Sequence, residues 1–516
     1  MSSIALILAA LALVPAPRKL VELGGTTDST AKVFRVDRTL PAEGYRLKVT
    51  DAGAEIAFAD GAGRLYAQVT LDQLRDEDGR FAKVEIVDAP AYPWRAWLID
   101  ASRHFVPRED MFALLDVMVL HKMNVLHWHL TEDQAWRLPI EGRPELLSYG
   151  ETRDYNRREN GCRWRRVGSW VERPDAVRYG PYSYSRQDIA DILAYAKNRF
   201  VKVVPEIDLP AHTKALLAAY PEIGCRPDVL AADRRPMADY GNTDEVLCIG
   251  NDRMFEIVYD ILDKVCDLFP DADMIHIGGD ECSVNRWKEC PKCQARMKAE
   301  NLKDERELQG WFEKKIVAHL AAKGRRAIGW AEIVEKPGIP AKDAVAMAWL
   351  YPDPGLRGLG RFCPTFAELA DMGYDVVAGS HKHGYWGPCH SRTDEYDPVG
   401  KPKYYFQISL EDTYDLDIDI GPDRPGRGKV LGTEGYAWAE SCWNFFDYMY
   451  RSLPRTCAIA EIAWTNPKPR SYADFYARMQ THARRLRAMK IPCAPVDPPG
   501  SKRKVPANQR QDVTRS

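Results

Sequence analysis

Met274-Ile-His-Ile-Gly-Gly-Asp-Glu281 is a short, mostly apolar run that stops at two glycines and two carboxylates. A run of that length and composition reads as a strand buried on both faces. The glycines permit a turn, which leaves Asp280 and Glu281 at the strand's carboxyl end. Working outward, the same design recurs at 96–100, 124–130 and 201–208 before it, and at 326–330, 345–349, 374–378 and 430–434 after it. Helical stretches separate these runs where they can be followed. Met111, Leu114, Leu115, Met118 and Val119 share one helical face, and Ser185 with Asp188 forms a capping-box signal ahead of Ile189, Ile192 and Leu193. Eight buried strands with intervening helices predict an α/β fold, a (β/α)8 TIM barrel. A doubly wound sheet is the structural rival, but no glycine-rich phosphate fingerprint follows the first strand. The polar inserts 141–184 and 384–429 follow strands two and seven, so they are expected at the mouth of the barrel.

Residues 18–92 have a different period. Tyr45-Arg-Leu-Lys-Val-Thr50 alternates, Asp51-Ala-Gly53 turns, and Ala54-Glu-Ile-Ala-Phe58 alternates again, ahead of a helix over 65–74. This predicts a small α+β domain preceding a catalytic domain over 93–490. The apolar run from Ile4 to Val14, followed by Pro15-Ala-Pro17, is too short to span a bilayer. It reads as an export signal over 1–17 with cleavage near Ala16, although no Lys or Arg precedes it. The expected location is therefore periplasmic or extracellular. The tail 491–516, rich in Pro, Lys, Arg and Gln, reads as disordered.

The chain has 516 residues, 45% apolar and 28% charged, and 72 basic against 74 acidic side chains leave a net charge of −2. That balance carries no electrostatic argument for nucleic acid or anionic membrane. Twelve cysteines are too few for a disulfide scaffold. Cys290-Pro-Lys-Cys293 alone has metal-like spacing, with Cys282 nearby. No second close pair or His pair accompanies it, so these read as thiols or a disulfide rather than a metal site.

Polar residues gather where the apolar runs stop: Asp100, Arg103 and His104, then His129, Glu132 and Asp133, then Glu206, Asp208 and His212. Trp330 with Glu332, Trp349, and Trp438 with Glu440 follow on later strands. Each has a plainer reading, the tryptophans and histidines as core and Asp133 and Asp208 as caps. Asp280-Glu281 is the exception, because two carboxylates at a buried strand end are costly unless used. Neighbours in sequence can hardly straddle a glycosidic bond about 5 Å apart, as a retaining two-carboxylate enzyme requires. One is left as an acid, and the other can orient a nucleophile that the substrate itself carries.

At these residues the chain resembles glycoside hydrolase family 20, the β-N-acetylhexosaminidases, from about residue 40 to 487. The resemblance rests on Gly63-Arg-Leu-Tyr-Ala-Gln, Arg95 with Asp100-Ala-Ser-Arg-His-Phe105, and His127-Trp-His-Leu-Thr-Glu-Asp133. It continues through Pro205-Glu-Ile-Asp-Leu-Pro-Ala-His212, His276-Ile-Gly-Gly-Asp-Glu281 and Gly432-Thr-Glu-Gly-Tyr-Ala-Trp-Ala-Glu440. It implies an exo-acting retaining hydrolase of N-acetylhexosamine-containing oligosaccharides or glycoconjugates, assisted by the substrate's acetamide, with no cofactor and no metal. Glu281 is then the general acid and Asp280 the partner of the acetamide nitrogen. Trp330, Trp349 and Trp438 wall the sugar, Arg95 and Glu440 bind ring hydroxyls, and Asp133 with His212 supports the acid. Two departures stand out. Ala211 replaces a usual glycine, and the family's Tyr-Leu-Asp after strand seven is missing from Gly379-Ser-His-Lys-His-Gly-Tyr-Trp-Gly387. Tyr385 is taken to stand in for the tyrosine, while Gly387 holds the aspartate's place. The rival readings are a glycan-binding barrel without turnover and a related glycosidase of altered sugar choice.

Overall fold

The computed structural model describes residues 11–502 except 156–163, 167–168, 172–177, 351–355, 358–360, 387–407, 441, 443 and 467. Gly387, the start of the apolar N-terminal run and most of the predicted tail lie outside the described residues.

The small domain is a five-stranded sheet in the order β1 (Lys19–Thr27), β5 (Phe81–Asp88), β3 (Tyr45–Thr50), β4 (Gly53–Phe58), β2 (Lys32–Val36). Along β3 buried and exposed residues alternate, as the sequence period requires. Helix α1 (Gly61–Gln73) opens on Asp60, whose side chain accepts the Gly63 backbone N–H. Tyr66, Ala67 and Leu71 of the helix pack on Tyr45, Leu47, Ile56 and Ile86 of the sheet.

Eight parallel strands close the barrel: Trp94–Asp100, Val125–His129, Lys202–Leu209, Met274–Gly278, Arg326–Trp330, Ala344–Ala348, Asp375–Ala378 and Val430–Ala437. Each pairs with its sequence neighbours, and the eighth closes on the first. Every residue of the first strand is buried, which explains why it reads as a continuous apolar run rather than an alternating one. The capping box at Ser185 and Asp188 opens the helix Arg186–Lys197, as predicted. Described parts of the first insert reach the mouth, where the Tyr179 hydroxyl accepts the Phe105 N–H and Arg153 donates to the Arg103 carbonyl.

The two domains meet on buried polar groups. Asp88 of β5 accepts from the Tyr45 hydroxyl at 2.6 Å, from Lys122 Nζ at 3.0 Å and from Trp464 Nε1 at 2.9 Å. The end of the apolar N-terminal run is built into the same body. Val14 exchanges backbone hydrogen bonds with the Gln73 side chain, and the Ala16 N–H donates to Glu461. A cut near Ala16 would therefore uncover Gln73, Glu461 and the Arg478 that donates to the Leu13 carbonyl.

Arg95 belongs to this junction and not to the mouth, which corrects its expected contact with sugar hydroxyls. It sits at the amino end of the first barrel strand, about 16 Å of extended chain before Asp100. Its guanidinium is fully buried and donates to the Lys122 carbonyl (2.7 Å), the Tyr92 carbonyl (3.0 Å) and the Glu43 carboxylate. Removing one partner of such a pair strands the other, typically for about 3–5 kcal/mol. Arg95→Gln is thus expected to lower the denaturation midpoint markedly and leave KM unchanged. A raised KM at unaltered stability would return Arg95 to the site.

Candidate active site

The floor of the mouth is built around a buried carboxylate. Glu206, on the third barrel strand, is bonded to His129 Nδ1 and lies 2.8 Å from His276 Nδ1 and 3.2 Å from His127 Nε2. It also accepts Trp330 Nε1 at 3.2 Å. Burial alone would raise its pKa, but the three imidazoles hold it well below the usual carboxylate range. His127, in turn, contacts Glu434 of the eighth strand at 2.7 Å. Burial disfavours its charge, yet Glu434 and Glu206 push its pKa up to about 9. The His127-x-His129 alternation is thereby explained as ion pairing under the site.

Above this floor the fourth strand ends in Gly278 (φ +68°) and Gly279 (φ +102°). A Cβ on Gly278 would lie 1.7 Å from Asp208 Oδ1, so only glycine lets the strand end pass that carboxylate. The turn then presents Asp280 and Glu281 to one pocket. Asp280 is the deeper of the two, with 14% of its side chain exposed against 30% for Glu281. Burial, reinforced by Glu281 and Glu206, pushes Asp280 up to about 7, against the opposing charge of His212. Its Oδ1 is buried and has no hydrogen-bond partner among the described residues.

His212 stands behind the pair, its Nε2 lying 3.8 Å from Asp280 and 3.7 Å from Glu281. On its other side Nδ1 meets Glu132 at 2.6 Å and Asp133 at 3.5 Å. Burial works against the imidazolium, but Glu132 holds its pKa well above the ordinary value. Glu132 also takes Arg103 at 3.1 Å, and Arg103 is anchored to Asp100 at 2.9 Å. Both His212 (φ +52°) and Glu281 (φ +49°) sit in left-handed backbone, which is uncommon for side chains of this kind and clusters at functional sites.

Trp330, Trp349 and Trp438 wall the pocket. The Trp349 indole N–H donates to Glu332 at 2.9 Å, and the Trp438 face carries Arg103 at 5.1 Å. Tyr385 lines the rim and donates its hydroxyl to Glu440 at 3.1 Å. Tyr436, on the eighth strand, lines the pocket as well, and its buried hydroxyl has no partner among the described residues. It occupies the space beside Gly379, where a Cβ would fall 1.1 Å from the hydroxyl oxygen.

Of the residues expected from sequence, Asp280, Glu281, His212, Trp330, Trp349, Tyr385, Trp438 and Glu440 share this one pocket. Asp133 supports it from behind His212, with its Oδ1 accepting the Lys214 N–H. Arg103, Glu132, Asp208 and Tyr436 complete the lining. The first three stand at strand ends and were open to the same positional argument as Asp280. Tyr436 carried no signal beyond its place inside an apolar run. Glu132, Asp208 and His212 lie close enough to share an ion, and Glu132 and His212 are hydrogen-bonded to one another.

Comparison with known proteins agrees with this geometry. Residues 92–467 match the model of the glycosyl hydrolase family 20 catalytic domain, and residues 11–89 match domain 2 of the same family. A β-hexosaminidase of Akkermansia muciniphila is 30% identical over 477 residues, covering 91% of this chain and 89% of the relative. One from Porphyromonas gingivalis is 34% identical over 481 residues, covering 90% of this chain, which spans 56% of that longer protein. Among solved structures, a β-N-acetylhexosaminidase superposes with a TM-score of 0.80 at 28% identity, covering 95% of this chain and 98% of the other. The enzyme from Bacteroides fragilis gives 0.74 at 26% identity, covering 94% and 97%. A closed barrel, a carboxylate pair behind two glycines and a family model covering most of the sequence lead to one conclusion: the chain belongs to glycoside hydrolase family 20.

Proposed function

We propose that the protein is an exo-acting β-N-acetylhexosaminidase that releases terminal non-reducing N-acetylhexosamine with retention, the substrate's acetamide oxygen serving as nucleophile. The observation that carries this reading is the buried Oδ1 of Asp280, unpartnered among the described residues, beside the more open carboxyl of Glu281. An acceptor left unpaired in a buried site costs about 1–3 kcal/mol. A substrate amide N–H supplies the missing donor. Asp280 then orients the acetamide and stabilises the positive charge that develops on it as its oxygen closes on the anomeric carbon. Glu281 gives its proton to the leaving oxygen and takes one back from the water that opens the intermediate. The tryptophan walls suit the acetamide methyl and the apolar face of the ring.

Glu281→Gln removes the transferable proton, an effect worth roughly 10² to 10⁴ in rate. The loss is expected to grow as the leaving group becomes a poorer one, and equal losses across a series of aryl N-acetylglucosaminides would sink the acid role.

Asp280 must be ionised to take the amide N–H. Its pKa lies above the unfolded value, so the folded enzyme holds this proton between the ordinary carboxylate range and about pH 7. The group's contribution to stability therefore falls as pH rises through that window, while kcat/KM should rise. His212→Gln withdraws the cation that lowers Asp280, and the acid limb of kcat/KM is expected to move alkaline by about one unit. An unmoved or acid-shifted limb would show that Asp280 does not set it.

The acetamide oxygen needs a donor as charge builds on it. The Tyr385 hydroxyl is engaged by Glu440, whereas that of Tyr436, a residue lining the pocket, has no partner among the described residues. Tyr436→Phe should lower kcat at least tenfold, about 1.4 kcal/mol, with little change in KM. Tyr385→Phe should act on KM through Glu440. The reverse pattern in steady-state kinetics would restore Tyr385 as the donor.

A further inference from the structure

Four cysteines from three separate stretches of the chain meet beside the loop that follows the third strand. The sulfurs of Cys225, Cys248, Cys290 and Cys293 all lie within 4.8 Å of one another. Cys225 to Cys293 is 3.8 Å, Cys248 to Cys290 is 3.6 Å and Cys248 to Cys293 is 3.7 Å. A zinc ion with Zn–S bonds of about 2.3 Å at the centre of a tetrahedron places its sulfurs about 3.8 Å apart. Disulfide sulfurs would lie at about 2.05 Å. All four are free thiols in the structure, and the fold brings Cys225 and Cys248 to the Cys290-Pro-Lys-Cys293 pair, which has no such neighbour close in sequence. Cys282, the expected neighbour, is not a member of the group.

The backbone is shaped around this cluster. The Cys248 N–H donates to the Ile223 carbonyl at 2.8 Å, which pins the two loop ends together. Gly250 is pressed onto the Cys290-Pro-Lys-Cys293 turn, where a Cβ would fall 2.1 Å from the Lys292 carbonyl carbon. Cys290 caps the helix Pro291–Ala299 and Cys293 lies in its first turn, so both thiols sit at the positive end of the helix. That position favours thiolates. Cys248, Cys290 and Cys293 are buried and Cys225 is half-buried, so the site offers four protein ligands and no open coordination position. Such closure marks a structural ion rather than a catalytic one, and a tetrahedral set of four sulfurs suits zinc.

We propose that these four thiolates bind one zinc ion that staples the segment 226–247 to the start of the helix Pro291–Ala299, downstream of the loop carrying Asp280 and Glu281. On binding, four S–H groups release their protons to solvent and four Zn–S bonds replace the ion's water ligands. The stapled segment leans on the active site: the Met237 N–H donates to the Asp133 carbonyl, Gln134 donates to the Asp239 carbonyl, and Ser283 donates to Asp244.

The test is the metal content of the full chain, expressed with zinc in the medium and purified without chelator. One zinc per chain is expected, lost in Cys290→Ser/Cys293→Ser and kept in Cys266→Ser. Mercurial titration of the native protein should release that zinc to a metallochromic dye as four thiols react. Proteolysis within 226–247 should be at least tenfold faster once the ion is gone. Should the double variant fail to fold, stoichiometry and thiol-linked release in the parent protein decide alone. The proposal is overturned by zinc-free protein whose four cysteines are recovered as thiols or as disulfides. Iron in place of zinc, or zinc retained by the double variant, would overturn it equally.

Discussion

A buried carboxylate can exist in this barrel only because Glu206 is surrounded by three imidazoles and an indole N–H. His129 and His127 come from the second strand, His276 from the fourth and Trp330 from the fifth, and His127 passes the contact on to Glu434 of the eighth. Taking an isolated carboxylate out of water costs several kcal/mol, so each of these contacts is close to obligatory. Together they fix the relative height of five strands at the end where the chemistry is placed. An indole anchored at its N–H in this way presents a defined face to the pocket, which a freely packed tryptophan would not.

The pocket above that floor is arranged in charge layers. Arg103 and His212 bracket Glu132 and hold it ionised, and the resulting imidazolium faces Asp280 and Glu281. The cation lowers Asp280 while burial raises it, and the balance leaves the group near neutrality at about 7. Asp280 can thus gain or lose a proton near neutral pH at little cost, as perturbed groups in functional clefts do. The glycines before the pair serve the same end, since a side chain at position 278 would collide with Asp208.

Much of this was legible in the order of residues. Met274–Gly278 and Arg326–Trp330 match the predicted strands end for end, because a strand buried on both faces leaves a continuous apolar run with abrupt polar limits. The carboxyl ends of those runs pointed to Asp280, Glu281, His212 and the tryptophans. Arg95 was misplaced because adjacency to a strand does not say which end of the barrel a residue occupies, and its partners Glu43 and Tyr66 come from the other domain.

The sequence by itself determined what is local: the period of each strand, the caps at Asp60 and Ser185, and the turn that two glycines allow after His276. These follow from interactions over a few residues, whose physics is written in adjacent side chains. Only the tertiary structure decided which distant groups meet. Cys225 and Cys248 joining Cys290 and Cys293, the Tyr436 hydroxyl filling the space beside Gly379, and Arg95 turning to Glu43 all depend on chain segments brought together by burial of the common core. Such contacts leave no periodic trace, because their energy comes from desolvation and mutual pairing that exist only once the chain has closed around them.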